Sequence, residues 1–146
     1  DAIEAELDGR IAAAPALARK REILRSIPGI GARVSTLLLT DLSELGSTDR
    51  KGIASLAGLA PHPSQSGLAP GRDAIGGGRP CVRAALYMAA LAACRAKSSP
   101  YRAKYLAMRE AGKPAKVAII AIARLLVTTA NALVKNDRLF DPEYGA

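Results

Sequence analysis

Two serines lie where a side-chain hydroxyl could do chemistry. Ser64 and Ser66 belong to a glycine- and proline-rich loop predicted over residues 58–78, and three arginines follow them: Arg72, Arg79 and Arg83. A hydroxyl beside arginines suits attack on a phosphate, because a guanidinium clamps two phosphate oxygens in a fork geometry that lysine cannot match. We favour Ser66 as the nucleophile because Gly67 follows it. The alternative is that both serines are ordinary turn residues.

Partners for such a nucleophile are scarce in this sequence. His62 is the only histidine and a conceivable general base, although a histidine between two prolines is more typical of an exposed loop. Asp73 and Glu110 are the only acids between residue 61 and residue 136. No Ser/His/Asp set can be assembled, and we expect no metal site and no cofactor within this chain.

Residues 27–31, IPGIG, lie between two segments with helical apolar periodicity. The pattern hydrophobic-x-Gly-hydrophobic-Gly is that of a helix-hairpin-helix element, which we place at residues 27–45. Gly29 and Gly31 would allow the tight turn, amides at the start of the second helix would hold a phosphate, and Arg33 would add charge. A plain helix–helix turn and a hairpin used only for protein packing remain as alternatives.

The net charge of +8 is confined to one half of the chain. Residues 1–60 carry 8 basic and 8 acidic side chains, whereas residues 61–146 carry 13 basic and 5 acidic ones. A domain with its positive charge on one side is typical of polyanion binders, so we expect a nucleic-acid partner. The predicted basic helical surface, which a simply solvated face would also explain, comprises Arg95, Lys97, Arg102, Lys104, Arg109, Lys113 and Lys116, with Tyr101 and Tyr105 between them.

The elements that must position these residues are all predicted to be helical. Apolar periodicity and proline positions predict helices at 2–13, 16–26, 32–42, a short one ending near 56, 80–96, 99–111 and 114–135. Ser47 or Thr48 is expected to cap the short helix. Because no segment alternates with period two, we predict a compact all-α domain. The apolar run at 117–134 is interrupted by Arg124, which favours a buried helix over a membrane span.

Five motifs in order resemble a known family: LRSIPGIG at 24–31, LAGLAP at 56–61, SG at 66–67, VRAALYMAA at 82–90 and GKPAKVA at 112–118. They resemble the C-terminal transposase domain of the IS-one-ten insertion-sequence family of bridge-RNA-guided recombinases. The resemblance implies that Ser66 attacks a DNA phosphodiester and forms a transient phosphoserine link. It also implies DNA, a guide RNA and further copies of the protein as partners, and a cytoplasmic, nucleoid-associated location.

The resemblance further implies a missing N-terminal RuvC-like domain whose four carboxylates hold Mg²⁺. The start of the chain at Asp1, without Met, fits this expectation of a fragment. Residues 1–26 would then be a helical lead-in, 27–135 the transposase domain with a catalytic loop at 58–79 and basic helices at 80–135, and 136–146 a tail. One departure concerns the loop, where Gly76 and Gly77 replace a lysine usual in the family. The rival hypothesis is a helix-hairpin-helix module that binds DNA or RNA backbone without catalysis.

Overall fold

The computed structural model describes residues 1–62, 74–75 and 77–143. Its helices are α1 (Ala2–Ala13), α2 (Pro15–Arg25), α3 (Ala32–Asp41), α4 (Arg50–Leu56), α5 (Pro80–Arg95), α6 (Pro100–Glu110) and α7 (Ala115–Lys135). Two strands of two residues each, β1 (Pro61–His62) and β2 (Ala74–Ile75), form an antiparallel pair between α4 and α5. The predicted all-α class is confirmed, with this small strand pair as an addition.

The core is built around α7, which packs against α2, α4, α5 and α6. Its side chains at Ile122, Leu126 and Val127 are fully buried. By length and composition alone α7 could cross a membrane, but half of its most apolar window is buried within the domain. The expectation of a buried core helix therefore fits the packing.

Small side chains let α5 approach its neighbours closely. Ala89, Ala90 and Ala93 are all buried on this helix, where a larger residue would push the packed helices apart. Branched side chains such as those of Leu38 and Leu86 fill the remaining space. An aromatic-poor composition thus produces a core of closely packed helices.

Helix starts follow the local sequence, with one correction. Pro15, Pro80 and Pro100 each occupy the first turn of a helix, where the missing amide is not needed. The expectation that Ser47 or Thr48 caps α4 was wrong. Asp49 is the cap, because its Oδ1 lies 2.7 Å from the amide of Gly52 and accepts its hydrogen bond.

The predicted lead-in and tail both contact the domain. Among the described helices α1 packs chiefly on α2, whereas α2 places Ile23 and Leu24 in the buried core. Beyond α7, the amide of Phe140 donates to Ser26 Oγ at 2.9 Å. The domain limits at 26 and 136 remain predictions, but the packing joins both sides of each limit.

Candidate active-site loop and nucleic-acid interface

The base of the 58–79 loop is closed by contact between its two ends. By loop base we mean residues 56–62 on one side and 74–75 and 77–79 on the other. The Arg79 amide donates to the Leu56 carbonyl at 3.0 Å. Gly58 and Gly78 have φ of +73° and +63°, and a β-carbon on Gly78 would overlap the Gly58 backbone. Because only glycine tolerates both the angle and the approach, these two residues make the closure possible.

The strand pair extends this closure. Pro61 lies opposite Ile75 and His62 lies opposite Ala74. The ends of the intervening segment are therefore held side by side. Ser64, Ser66, Gly67 and Arg72 fall within residues 63–73, outside the described part of the chain, so their roles remain predictions.

Arg124 fixes the loop base to the core helix. Its Nε donates to the carbonyl of Leu59 at 2.9 Å, and the Leu59 side chain is fully buried. In the sequence, Arg124 was identified only as an interruption of an apolar run. A charged residue in the middle of such a run is itself a signal, because it must find a polar partner when the helix is buried.

Replacing Arg124 with methionine should loosen the loop base. The change keeps an extended side chain but removes the donor, which leaves the Leu59 carbonyl without its partner and should lower the free energy of unfolding by about 1–3 kcal/mol. Hydrogen exchange at the Arg79 amide should accelerate, since that amide closes the same base. Arg124→Lys, which retains a donor, is the control. Equal exchange rates in wild type and Arg124→Met would show that this contact does not hold the loop.

Two predicted phosphate ligands line one groove beside the loop base. Arg83 and Lys116 border a groove of about 570 Å³, together with Leu59 from the loop base. Arg83 Nη1 also donates to the Gly77 carbonyl at 3.0 Å, which orients its guanidinium at the end of the loop. Lys113 is exposed in the turn before α7. The structure therefore brings Arg83 and Lys116 together, as a phosphate site would require.

Arg79 is engaged differently from what the sequence suggested. Its guanidinium forms a two-pronged ion pair with the carboxylate of Glu44 and donates to the Asp41 carbonyl at 2.7 Å. The hydrogen bonds from Arg79 lower the pKa of Glu44 to about 2, and the same contacts raise the pKa of Arg79. With these donors in use, Arg79 anchors the end of the loop to the α3–α4 connection. A phosphate contact from Arg79 stays a prediction that would require it to exchange this partner.

The Arg79–Glu44 pair should make stability depend on acid. The folded-state pKa of Glu44 lies near 2, below its ordinary value of 4.5, so the stabilisation is present above pH 4.5 and is lost as pH falls toward 2. Thermal melts of wild type and Glu44→Gln should therefore differ at neutral pH and converge across that window. The difference should be small, because both side chains are about one-third exposed. A difference that stays constant from pH 7 to pH 2 would assign it to another cause.

The turn between α2 and α3 packs on one side and is exposed on the other. Gly29 has φ of +90° and lies against α5, and Ile27 and Ile30 are buried. Gly31 caps α3 through its backbone and is exposed, with no side chain satisfying the first amides. Arg33 is exposed but pairs with Glu4 at 3.0 Å. The turn thus packs against the protein, while phosphate binding at its open side stays a prediction.

The predicted basic surface needs correction at Tyr101. Its side chain is 4% exposed, its ring centroid lies 6.0 Å from that of Phe140, and burial raises the pKa of its hydroxyl. A residue so placed cannot stack on a base. Arg102 donates to backbone carbonyls at the end of α5, and Arg109 donates to the Lys113 carbonyl in the α6–α7 connection. Part of the basic face thus has structural contacts that helical spacing alone did not reveal.

Comparison with known proteins shows the family of this chain. Residues 21–106, more than half of the chain, match the family described as Transposase IS116/IS110/IS902. The chain belongs to this family. The match begins in α2, includes the whole 58–79 loop and ends in α6, so the loop base lies inside the family region, whereas Arg124 and Lys116 lie beyond it.

Several curated relatives support the assignment. The chain is 34% identical over 130 residues to a pilin gene-inverting protein of Moraxella bovis, covering 87% of the chain and 40% of the relative. It is 28% identical over 142 residues to an IS110 protein of Streptomyces coelicolor, covering 96% of the chain and 34% of the relative. It is 33% identical over 129 residues to an IS116 protein of Streptomyces clavuligerus, covering 84% and 31%. The chain therefore spans two-fifths or less of these relatives.

The part of the chain that the structure describes contains no cluster of metal-binding side chains. No three His, Cys, Asp or Glu residues among residues 1–62, 74–75 and 77–143 are grouped so as to hold an ion. These residues therefore provide no three-ligand site for Mg²⁺.

Proposed function

We propose that this chain is the catalytic portion of a DNA transposase or recombinase and that Ser66 is its nucleophile. The observation that supports this most strongly is the loop base. Backbone closure at Gly58 and Gly78 and the β1–β2 pairing hold both ends of the serine-bearing segment beside a groove with two cations, Arg83 and Lys116. A loop held in this way suits a reaction in which a hydroxyl must meet a phosphate.

The proposed reaction conserves the phosphodiester in two steps. The Ser66 hydroxyl loses its proton to a base outside the described residues, and its Oγ forms a bond to a DNA phosphorus. The bond from phosphorus to one deoxyribose oxygen breaks, and that oxygen leaves as a hydroxyl after gaining a proton. The hydroxyl of another DNA strand then loses its proton and attacks the phosphoserine. The bond from phosphorus to Ser66 Oγ breaks, Oγ regains a proton, and the new strand is joined.

Arg83 and Lys116 would serve the phosphate in both steps. Negative charge builds on the non-bridging oxygens when a fifth oxygen approaches phosphorus, and cations that are already in place stabilise it. Arg83 is oriented by its bond to the Gly77 carbonyl and is therefore better placed for this than a freely rotating side chain. A guide RNA and assembly with further copies of the protein belong to the same proposal.

The test is a search for the covalent intermediate. Because the chain spans two-fifths or less of its relatives, the assay uses the longest protein that contains it, with its RNA and its DNA substrates. After denaturation, DNA-linked protein is digested and the modified peptide is identified by mass spectrometry. An adduct on Ser66 supports the proposal, and an adduct on Ser64 would transfer the role to that serine.

A second candidate is a module that binds nucleic-acid backbone without catalysis. The exposed start of α3, where Gly31 leaves the first amides without a side-chain cap, is the observation in its favour. The adduct assay separates the two functions. A protein that completes strand exchange without ever forming an adduct would leave binding as the role of this chain.

A further inference from the structure

A second basic groove lies at the other end of α7 from the loop base. Arg50 at the start of α4, Lys104 on α6 and Lys135 at the end of α7 border a groove of about 500 Å³, which we call the α7-end groove. Its other lining residues are polar or apolar, and none is acidic. Cations from three separate helices therefore meet around one opening.

These cations are available to an anion. Arg50 and Lys104 have no ion-pair or hydrogen-bond partner among the residues that the structure describes, and Lys135 Nζ donates only to the Thr48 carbonyl, at 3.2 Å. The acidic residues closest to Arg50 and Lys135 in the sequence are Asp49 and Asp137, and each contacts another residue. Asp49 accepts from the Gly52 amide, and Asp137 pairs with Arg19 at 2.9 Å. No ion pair among the described residues thus occupies Arg50, Lys104 or Lys135.

The groove is held in shape by a buried amide. Asn131 is 4% exposed; it accepts from the Gly46 amide at 2.7 Å and donates to the Thr48 carbonyl at 2.9 Å. Both contacts tie the α3–α4 connection to α7. Arg50 lies two residues after Thr48, so the same contacts place the start of α4 beside α7. A preorganised opening of this kind loses little freedom when it binds a ligand.

We propose that the α7-end groove binds the phosphate backbone of a nucleic acid at a site separate from the loop base. Lys116 and Lys135 are 19 residues apart on one helix, about 28 Å along its axis, and about 100° apart around it. One phosphate cannot reach both grooves, so they take separate stretches of backbone. This inference rests on the proposed function, because it assigns a second contact to the same nucleic-acid partners.

The test compares two triple variants of the same net charge. The groove variant carries Arg50→Gln, Lys104→Gln and Lys135→Gln, and the control carries Arg10→Gln, Lys20→Gln and Arg25→Gln, which line neither groove and lie outside the predicted basic surface. Binding of fluorescent 30-base-pair DNA and RNA duplexes is measured by anisotropy from 50 to 200 mM KCl. Each phosphate contact contributes about 0.9 to the slope of log affinity against log salt concentration. Between 50 and 200 mM KCl, the affinity of the groove variant should therefore fall by a factor roughly 40-fold smaller than that of wild type.

A shallower slope in the groove variant alone supports the site, and its presence with DNA, RNA or both identifies the backbone that occupies it. Equal slopes in the two triple variants would overturn the proposal, because charge alone would then explain binding. A parallel variant with Arg83→Gln and Lys116→Gln distinguishes the two hypotheses. If that variant alone weakens binding, the second site is wrong and the proposed function stands. If wild type binds neither duplex, the second site is overturned, and the adduct assay decides the proposed function independently.

Discussion

Replacing Ser66 with alanine should reduce strand exchange by at least about 1,000-fold, as expected when the nucleophile of a covalent mechanism is removed. The alanine variant has no oxygen to form the phosphoserine, so the first step stops while binding continues. Affinity for DNA should therefore stay within about twofold of wild type. The measurement is a single-turnover assay of recombinant product with the longest protein that contains this chain, alongside an equilibrium binding titration.

Ser64→Ala is the matched control, since it removes an identical hydroxyl two residues away in the same segment. It should retain activity within a few-fold. Both variants should unfold within about 0.5 kcal/mol of wild type, because both serines belong to a segment whose glycines and prolines predict a loop. Wild-type rates in Ser66→Ala together with loss of activity in Ser64→Ala would exchange the assignments. Full activity in both would exclude either serine as the nucleophile.

Local sequence signals predicted the helices well. The apolar spacing of α3 and α7 and the prolines that open α2, α5 and α6 are properties of neighbouring residues, so a single sequence reveals them. The prediction of the α4 cap was wrong because several adjacent polar residues could cap this helix. Ser47, Thr48 and Asp49 are all competent caps, and only the path of the backbone decides which side chain reaches the Gly52 amide.

The connections that shape the candidate site could not be predicted, because they join distant residues. The pair between Arg79 and Glu44 spans 35 residues, and the bond from Arg124 to Leu59 spans 65. Neither has a local signature. The sequence indicated Arg79 as a phosphate ligand and Arg124 as an interruption of an apolar run, yet one anchors the end of the loop and the other its beginning. The net charge therefore predicted a nucleic-acid partner, but it did not show which cations hold the fold together and which can contact a phosphate.

The distribution of charge along the chain also did not predict the α7-end groove. Arg50 belongs to the electrically neutral half, residues 1–60, whereas Lys104 and Lys135 belong to the basic half. Folding brings Arg50 to the other two because α4 packs directly against α7. A surface composed of cations from both halves is visible only once the helices are assembled.

Replacing Gly29 with alanine should lower the free energy of unfolding by about 2–5 kcal/mol. Two costs combine at this residue: a side chain at φ of +90° is strained by about 1–2 kcal/mol, and its β-carbon would overlap the Ala89 carbonyl and approach the Ala93 Cβ to 2.9 Å. Helix α5 would have to move away from the α2–α3 turn. Chemical denaturation followed by circular dichroism measures the change.

Two further glycines separate these costs. Gly112 has φ of +96°, and no atom lies within 4 Å of the place that a β-carbon would take, so Gly112→Ala should show only the backbone strain, about 1–2 kcal/mol. Gly31 lies in the same turn as Gly29 and has an extended backbone and equally open surroundings, so Gly31→Ala should cost at most about 1 kcal/mol, because alanine caps a helix less well than glycine. If Gly29→Ala is no more destabilising than Gly112→Ala, the turn does not depend on its contact with α5. A larger loss ties the α2–α3 turn to α5, the helix whose first residues border the loop base.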